Sequence, residues 1–344
     1  MGLVLAIAAV LWGIGAVMKA PVRLRLGLVG VLWLAVVGLH LVFPAGHPLR
    51  AATGGEARVW LVLGGLAALI FVYRQGLARL RRRADPVPEA TPTPFRPAEL
   101  SRYARHILLR EIGGPGQRRL KDAKVLVVGA GGLGSPILLY LAGSGVGLIG
   151  VIDDDVVDTS NLQRQVIHTD ARIGMAKVHS AEIAMRALNP FIEVRPYKRR
   201  LTADIAADLF ADYDLILDGS DNFDTRYLIN SAAVSSGKPL ISGAITQWEG
   251  QVSLFDPARG GPCYACVFPN RPAPGMVASC AEAGVAAPLP GVIGAVMAME
   301  AVKHLTGAGE GLRGRLMIHD ALYSETRMIR TQRRDGCPVC GATP

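Results

Sequence analysis

The chain has 344 residues, room for one large domain and something smaller, and a formal net charge of +9. Eleven of the 37 basic residues but three of the 28 acidic ones fall in residues 1–98, so +8 of that charge sits in an N-terminal arm, where a membrane surface is the natural partner. The remainder is close to neutral and shows no basic stripe with interleaved aromatics, which excludes a nucleic-acid partner.

The arm opens with an uncharged run, Met1–Met18, that ends at Lys19. A second run, Leu26–Phe43, carries no charge apart from the titratable His40 and follows Arg23 and Arg25. Each is about long enough to cross a hydrocarbon core of ~30 Å as a helix. A third run, Val59–Tyr73, is shorter; at ~1.5 Å per residue it reaches ~22 Å and needs flanking residues or local thinning to span. Lys19, Arg23 and Arg25 mark the first loop as cytoplasmic, and Arg74, Arg79, Arg81, Arg82 and Arg83 mark the segment after the third run likewise. Two crossings must separate them, so the expectation is about three transmembrane helices over residues 1–83. The N-terminus then lies outside the inner (cytoplasmic) membrane and the large domain inside. A signal peptide is the competing reading of the first run, disfavoured because no basic segment precedes it and no cleavage motif follows. Prolines at 86, 88, 92, 94 and 97 give an extended linker over residues 84–98. The domain of residues 99–344 begins at Glu99.

Within that domain Lys124–Val128 is a short β-branched run that enters a glycine loop, Gly129–Gly134, and helix-forming residues follow from Ser135. Strand, glycine turn and helix N-terminus let backbone N–H groups approach phosphates. Gly129, Gly131, Gly132 and Gly134 are the loop glycines. Asp153 lies 24 residues after Gly129 at the end of the next strand, Gly150–Asp155, where a carboxylate can bond ribose hydroxyls. NAD, FAD, S-adenosylmethionine and ATP all suit this fingerprint.

The next residues favour ATP. Ser160, Asn161, Leu162, Gln163 and Arg164 form the run SNLQR, with a forked guanidinium for a polyphosphate and an amide to fix it. Lys177 adds a point charge. The strand-like segment Leu215–Asn222 carries Asp218 and Asp221 toward its C-terminal end, where sites in open α/β sheets lie. Asp221 is placed to hold magnesium. A solvated face or a helix cap is the bland alternative for each of these residues taken singly.

Five cysteines in a chain this long exclude a disulfide framework. Cys263 and Cys266 form one CxxC pair and Cys337 and Cys340 another. Four thiolates suit a closed tetrahedral zinc site that staples the C-terminal tail to the domain, with two strained intra-pair disulfides as the alternative. Cys280 is left over; a small packed thiol is its plain reading.

Taken together, RYARHILL (Arg102–Leu109), GAGGLGSP, DDDVVDTSNLQRQ, GMAKVHSA, DGSDN, the two CxxC pairs, CAEAGV and GVIGAVMAMEAVKHLTG resemble the ubiquitin-activating-enzyme-like adenylyltransferases of the MoeB, ThiF and HesA group. The resemblance runs from Glu99 to about Gly341. It implies an α/β fold, a Rossmann-like mixed sheet flanked by helices with a structural zinc site. It also implies an ATP- and magnesium-dependent homodimer that adenylates the C-terminal glycine of a small ubiquitin-fold sulfur carrier.

By that resemblance Gly132 contacts the nucleotide, Asp153 holds the ribose, and Ser160–Arg164 and Lys177 line the phosphates. Asp221 and Asn222 complete the magnesium and adenylate side, and Arg105 reaches the other subunit's site. Cys280 falls in a crossover loop where some relatives carry an acceptor for the carrier. A MoaD-like carrier for molybdopterin synthesis is the favoured partner, with a ThiS-like carrier for thiazole synthesis as the rival. No rhodanese-like segment follows the zinc cysteines, so a separate sulfurtransferase is the expected sulfur source. A membrane scaffold without chemistry is the reading from another class, and a nicotinamide-dependent oxidoreductase leaves SNLQRQ and the cysteines unexplained.

Overall fold

The computed structural model describes residues 1–44, 46–54, 56–83, 95–272 and 283–341, apart from the side chains of residue 23 and residues 78–83. The chain divides into two compact units, Met1–Pro92 and Thr93–Pro344.

The first unit is helical: α1 (Gly2–Val17), α2 (Val22–Val42), α3 (Pro48–Thr53) and α4 (Ala57–Arg83). Val4, Val36, Val37 and Trp60 form its small interior, and the Trp33 indole donates to the Trp60 carbonyl at 2.9 Å. Many other large apolar side chains, Leu34, Leu66, Leu69 and Phe71 among them, are exposed. Leu24–Val42 and Ala57–Leu77 are long and apolar enough to cross a membrane, whereas α1 is a shorter apolar helix. The third run thus gains length from its flanking residues, and the helix of the first run is the shorter one. The third run does not stop at its apolar limits, because Arg58, Arg74 and Gln75 are good helix formers and continue α4 at both ends.

The second unit is a single eight-stranded sheet in the order β3-β2-β1-β4-β5-β6-β7-β8. Its strands are β1 (Lys124–Val128), β2 (Leu148–Ile152), β3 (Glu193–Tyr197), β4 (Leu215–Asp218), β5 (Leu240–Ile245), β6 (Glu249–Phe255), β7 (Arg315–Asp320) and β8 (Glu325–Arg330). The first five pair in parallel and the last three antiparallel, so the sheet is mixed as expected. Alternation along β1 shows why the parallel half reads as unbroken apolar runs. Val125 and Val127 belong to one core cluster with Ile137 and Leu141 of α7 (Gly134–Ser144). Leu126 and Val128 belong to the other, with Phe210 of α9 (Ala203–Ala211) and Ile229 of α10 (Phe223–Ser235). A strand covered on both faces needs apolar residues at every position.

Two further helices share the first face: α8 (Lys177–Leu188) and, from the C-terminal half, α12 (Leu289–Thr306). Before β1 come α5 (Pro97–Ile107) and α6 (Gly113–Asp122), and α11 (Tyr264–Val267) follows β6. The last residues of the expected linker belong to this unit: Pro97 begins α5, and the buried Phe95 ring meets Tyr103 edge-on at 6.2 Å.

The strand order reverses between β1 and β4, which places a crevice at the carboxyl ends of β1, β2 and β4.

Candidate active site

The loop Gly129–Leu133 leaves β1 and delivers the chain into α7 at that crevice. Its geometry depends on glycine at two points. Gly129 has φ of +94°, in the left-handed region. A Cβ at Gly134 would collide with the Gly129 carbonyl oxygen, so the loop folds tightly only with a bare Cα there. Gly134→Ala is expected to open the loop and weaken ATP binding at least about tenfold, measured by calorimetric titration, with the sheet intact by circular dichroism.

Of the other two glycines, Gly132 makes room for a neighbour, whereas a Cβ on Gly131 would meet only ordinary contact. A Cβ on Gly132 would lie 3.1 Å from Pro290 of α12 and 3.8 Å from the Arg164 stem, and one on Gly131 would lie 3.7 Å from the Gln165 amide.

The end of β2 locks onto this loop. Asp153 accepts the Ala130 N–H through Oδ2 at 2.8 Å and the Asp155 N–H through Oδ1 at 2.8 Å. Burial pushes the Asp153 carboxyl above the usual carboxylate range, against the pull of the Ala130 N–H and the Lys177 charge. The Ala130 peptide is held from its other side too, since its carbonyl pairs with Nε2 of the buried His168 at 2.9 Å. The other ring nitrogen of His168 meets the Ser180 hydroxyl at 2.9 Å.

Burial keeps His168 below the ordinary histidine range, outweighing the bond to Ala130, which acts in the opposite direction. Between that lowered value and the ~6.5 of an unfolded chain, the unfolded state binds the extra proton, so stability falls as pH falls through this window. Thermal melts from pH 7.5 to 5 are expected to slope down in the wild type and less so in His168→Gln.

Lys177 begins α8 with a side chain only 6% exposed, and its ammonium reaches the Asp155 carboxylate at 2.7 Å. The backbone repeats the contact, the Lys177 N–H donating to the Asp155 carbonyl at 3.0 Å. A buried ammonium is thereby aimed at the site and charge-balanced by a carboxylate that is 68% exposed.

Arg164 folds back over its own turn, donating to the Asn161 Oδ1 at 2.9 Å and to the Ser160 carbonyl at 3.2 Å. Asp158 accepts both the N–H and the hydroxyl of Ser160 at 2.8 and 2.5 Å, which hold its carboxyl low. Leu162 is half-buried and Gln163 exposed on the same turn.

At the end of β4 the two aspartates part company. Asp218 is buried and takes the Ser220 N–H, the Ser220 hydroxyl and the Ser242 hydroxyl at 3.0, 2.6 and 2.8 Å, so it fastens β4 to β5. Asp221 is exposed, and Asn222 caps α10 by accepting the Thr225 N–H at 2.9 Å. Mg²⁺ characteristically takes one or two carboxylates together with substrate phosphates, which a single open aspartate at a strand end fits. Among the described residues, the acidic groups that converge within 4.8 Å are Asp153, Asp154 and Asp155, but Asp153 and Asp155 are already engaged with backbone N–H groups and Lys177. Arg105 is exposed on α5 and, among the described residues, makes no polar contact with this group. Cys280 lies outside the described residues.

The four remaining cysteines converge from two distant segments. Their sulfurs all lie within 4.8 Å of one another, with Cys263 to Cys266 at 3.8 Å, Cys263 to Cys337 at 3.7 Å and Cys266 to Cys340 at 3.4 Å. Zn–S bonds of ~2.3 Å in a tetrahedron put sulfurs ~3.8 Å apart, so the set fits zinc and leaves no open position. These separations are nearly twice the ~2.05 Å of a disulfide, and the thiols are free. Burial raises the Cys263 thiol, and it would raise Cys337 as well, but N–H groups of Cys340 and Val339 lower that one to about 6.

The structure thus places Asp153 and Lys177 at the crevice, folds Arg164 over its own turn and brings the four cysteines together; beside them stand Asp155, Gln165, His168 and Pro290, which the sequence patterns passed over. Asp155 and Gln165 stood inside runs already singled out; His168 and Pro290 declare themselves only through contacts across the fold.

A model of the ThiF family matches residues 103–339. The chain is 50% identical over 250 residues to the "Sulfur carrier protein adenylyltransferase" of Thermus thermophilus, covering 72% of this chain and 92% of that protein. It is 52% identical over 243 residues to the "Probable adenylyltransferase/sulfurtransferase MoeZ" of Mycobacterium tuberculosis, covering 70% of this chain but only 62% of that longer one. Its fold is similar to the crystal structure of E. coli MccB with ATP, at a TM-score of 0.59 and 25% identity over 70% of this chain and 74% of that one.

Proposed function

The chain belongs to the ThiF family, and from that membership we propose that it adenylates the C-terminal glycine of a small ubiquitin-fold sulfur carrier with ATP. The observation that carries this reading is the meeting of a glycine loop, a ribose-type carboxylate and a buried ammonium at one crevice. The half identity to a sulfur-carrier adenylyltransferase, over nearly that protein's whole length, names the acceptor.

In the proposed reaction a terminal carboxylate oxygen of the carrier attacks the α-phosphorus of ATP. The new O–P bond gives an acyl-adenylate, and the bond between the α-phosphorus and the bridging oxygen breaks to release pyrophosphate. The attacking carboxylate is ionised at neutral pH, so the site needs no general base. What it must supply is positive charge, because carboxylate and triphosphate repel. Lys177 and Arg164 offset that repulsion and steady the leaving pyrophosphate, Asp153 holds the ribose, and the N–H groups at the start of α7 face the phosphates. Arg105, exposed on its helix, serves the partner subunit's site in a homodimer. Asp221 and Asn222 would hold Mg²⁺, which supplies further charge neutralisation on the phosphates when bound. Cys263, Cys266, Cys337 and Cys340 would hold a structural zinc.

The exposed apolar faces of α1, α2 and α4 and the basic clusters beside them support a membrane arm that keeps the catalytic unit on the cytoplasmic side. A MoaD-like carrier is the favoured substrate. ATP–pyrophosphate exchange by the full chain in detergent tests the reading, with MoaD-like and ThiS-like carriers supplied separately. Exchange that depends on one carrier and is lost in Asp221→Ala is the expected result; no exchange with any ubiquitin-fold carrier would overturn it.

A further inference from the structure

Two carbonyls of the glycine loop are held by hydrogen bonds, one locally and one from far along the chain. The Gly131 carbonyl accepts the N–H and the hydroxyl of Ser135 at 2.9 and 2.7 Å, within the start of α7. The Ala130 carbonyl is met only by Nε2 of His168, 38 positions away, at 2.9 Å. Ala130 is fully buried and His168 is 5% exposed, so this oxygen is turned into the protein. A carbonyl can only accept, which puts the ring proton on Nε2. Burial keeps the ring neutral, and Nδ1 is then the lone pair to which the Ser180 hydroxyl donates at 2.9 Å. Ser180 sits on α8, one turn after Lys177.

The peptide between Ala130 and Gly131 is trans, so its N–H points opposite to its carbonyl. With the oxygen turned inward, the Gly131 N–H is turned outward on a half-buried residue, and it has no hydrogen-bond partner among the described residues. Nothing in the loop itself enforces this orientation. Gly131 has a negative φ, and rotating the peptide by half a turn would make it positive, which glycine accepts as readily. The flipped peptide would present a carbonyl oxygen where the N–H now stands, and that oxygen would repel a phosphate.

We propose that His168 is a positioning residue: its Nε2–H holds the Ala130–Gly131 peptide in the orientation that turns the Gly131 N–H toward a phosphate oxygen of the nucleotide. The inference rests on the nucleotide reading of the site given above. The Ser180 hydroxyl strengthens the clamp, because a ring whose Nδ1 lone pair is occupied keeps its proton on the side that faces the loop. A donor fixed before the ligand arrives costs no reorganisation when it binds.

The test measures ATP and adenosine affinity of the full chain in detergent micelles by calorimetry, alongside thermal melting of the ligand-free protein. Wild type that fails to bind ATP overturns the nucleotide reading and this one with it; wild type that binds lets two amide variants decide. A glutamine amide reaches as far as Nε2 and an asparagine amide only as far as Nδ1. His168→Gln therefore keeps a donor on the Ala130 carbonyl, whereas His168→Asn keeps only the contact with Ser180. Expected are ATP affinity within about threefold of wild type for His168→Gln and a loss of about tenfold or more for His168→Asn, with adenosine affinity unchanged in both. Wild-type ATP affinity in His168→Asn, or an equal loss in the two variants, would overturn the proposal. Parallel losses for ATP and adenosine would overturn it in favour of a purely structural role. Should His168→Asn fail to fold, His168→Met, which removes the donor and stays apolar, is judged by the same split between ATP and adenosine.

Discussion

Lys177→Met lowers carrier-dependent ATP–pyrophosphate exchange by about 10²–10³-fold, the usual cost of removing one preorganised group that stabilises transition-state charge. Methionine keeps the length of the buried stem, so α8 stays packed and the melting temperature changes little. The helix start is also anchored by the Lys177 N–H on the Asp155 carbonyl, a bond the substitution leaves in place. Asp155 loses its partner but stands mostly in water, where an unpaired carboxylate is cheap. Asp155→Asn is the informative companion: it keeps the ammonium and removes only what holds it. A milder effect there, expressed in KM for ATP more than in kcat, would mark Asp155 as the residue that positions Lys177. Wild-type exchange in Lys177→Met would remove the ammonium from the mechanism.

Cys340→Ser is expected to reduce bound zinc from about one ion per chain to none and to lower the melting temperature of the catalytic unit by roughly 8–16 °C. That range corresponds to a loss of about 4 kcal/mol, at 2–4 °C per kcal/mol for a unit of this size. The physical cause is loss of a cross-link rather than loss of packing, since serine fills nearly the same space. Chelation of the wild type at neutral pH should reproduce the shift, and added zinc should reverse it for wild type but not for Cys340→Ser. Two outcomes would sink the zinc assignment: full metal content in Cys340→Ser, or wild-type protein that carries no zinc and melts unchanged with chelator.

What the sequence disclosed of this molecule was local in character. The apolar run Lys124–Val128, the glycines after it and the acidic end of β2 are neighbours along the chain, so a strand, a glycine loop and a carboxylate beside it could be read from spacing. The two CxxC pairs could be joined because cysteine has so few other uses in such a pattern. Contacts between remote segments escaped. Nothing in the residues around His168 announces that it steadies the Ala130 carbonyl, because that bond spans 38 positions. Asp218 and Asp221 looked alike at a strand end, yet Ser242 on the next strand claims the first and leaves the second open. In the arm, hydropathy marked where apolar side chains stop but not where the helix stops, and α4 runs on through residues that are polar yet helix-forming.

The closed set of cysteines has a mechanical consequence when the chain is pulled from its two ends. Cys263 and Cys337 are 74 positions apart, so a metal between the two pairs turns β7, β8 and α12 into part of a ring. Force applied between the arm and the C-terminus passes across the metal and bypasses everything inside that ring. At ~3.5 Å per residue, roughly 260 Å of contour stays hidden until a metal–sulfur bond gives way. Stretched in an optical trap, the protein should therefore lengthen in two steps, the β1–β6 region first and the ring afterwards, and should lengthen in one when the metal has been stripped.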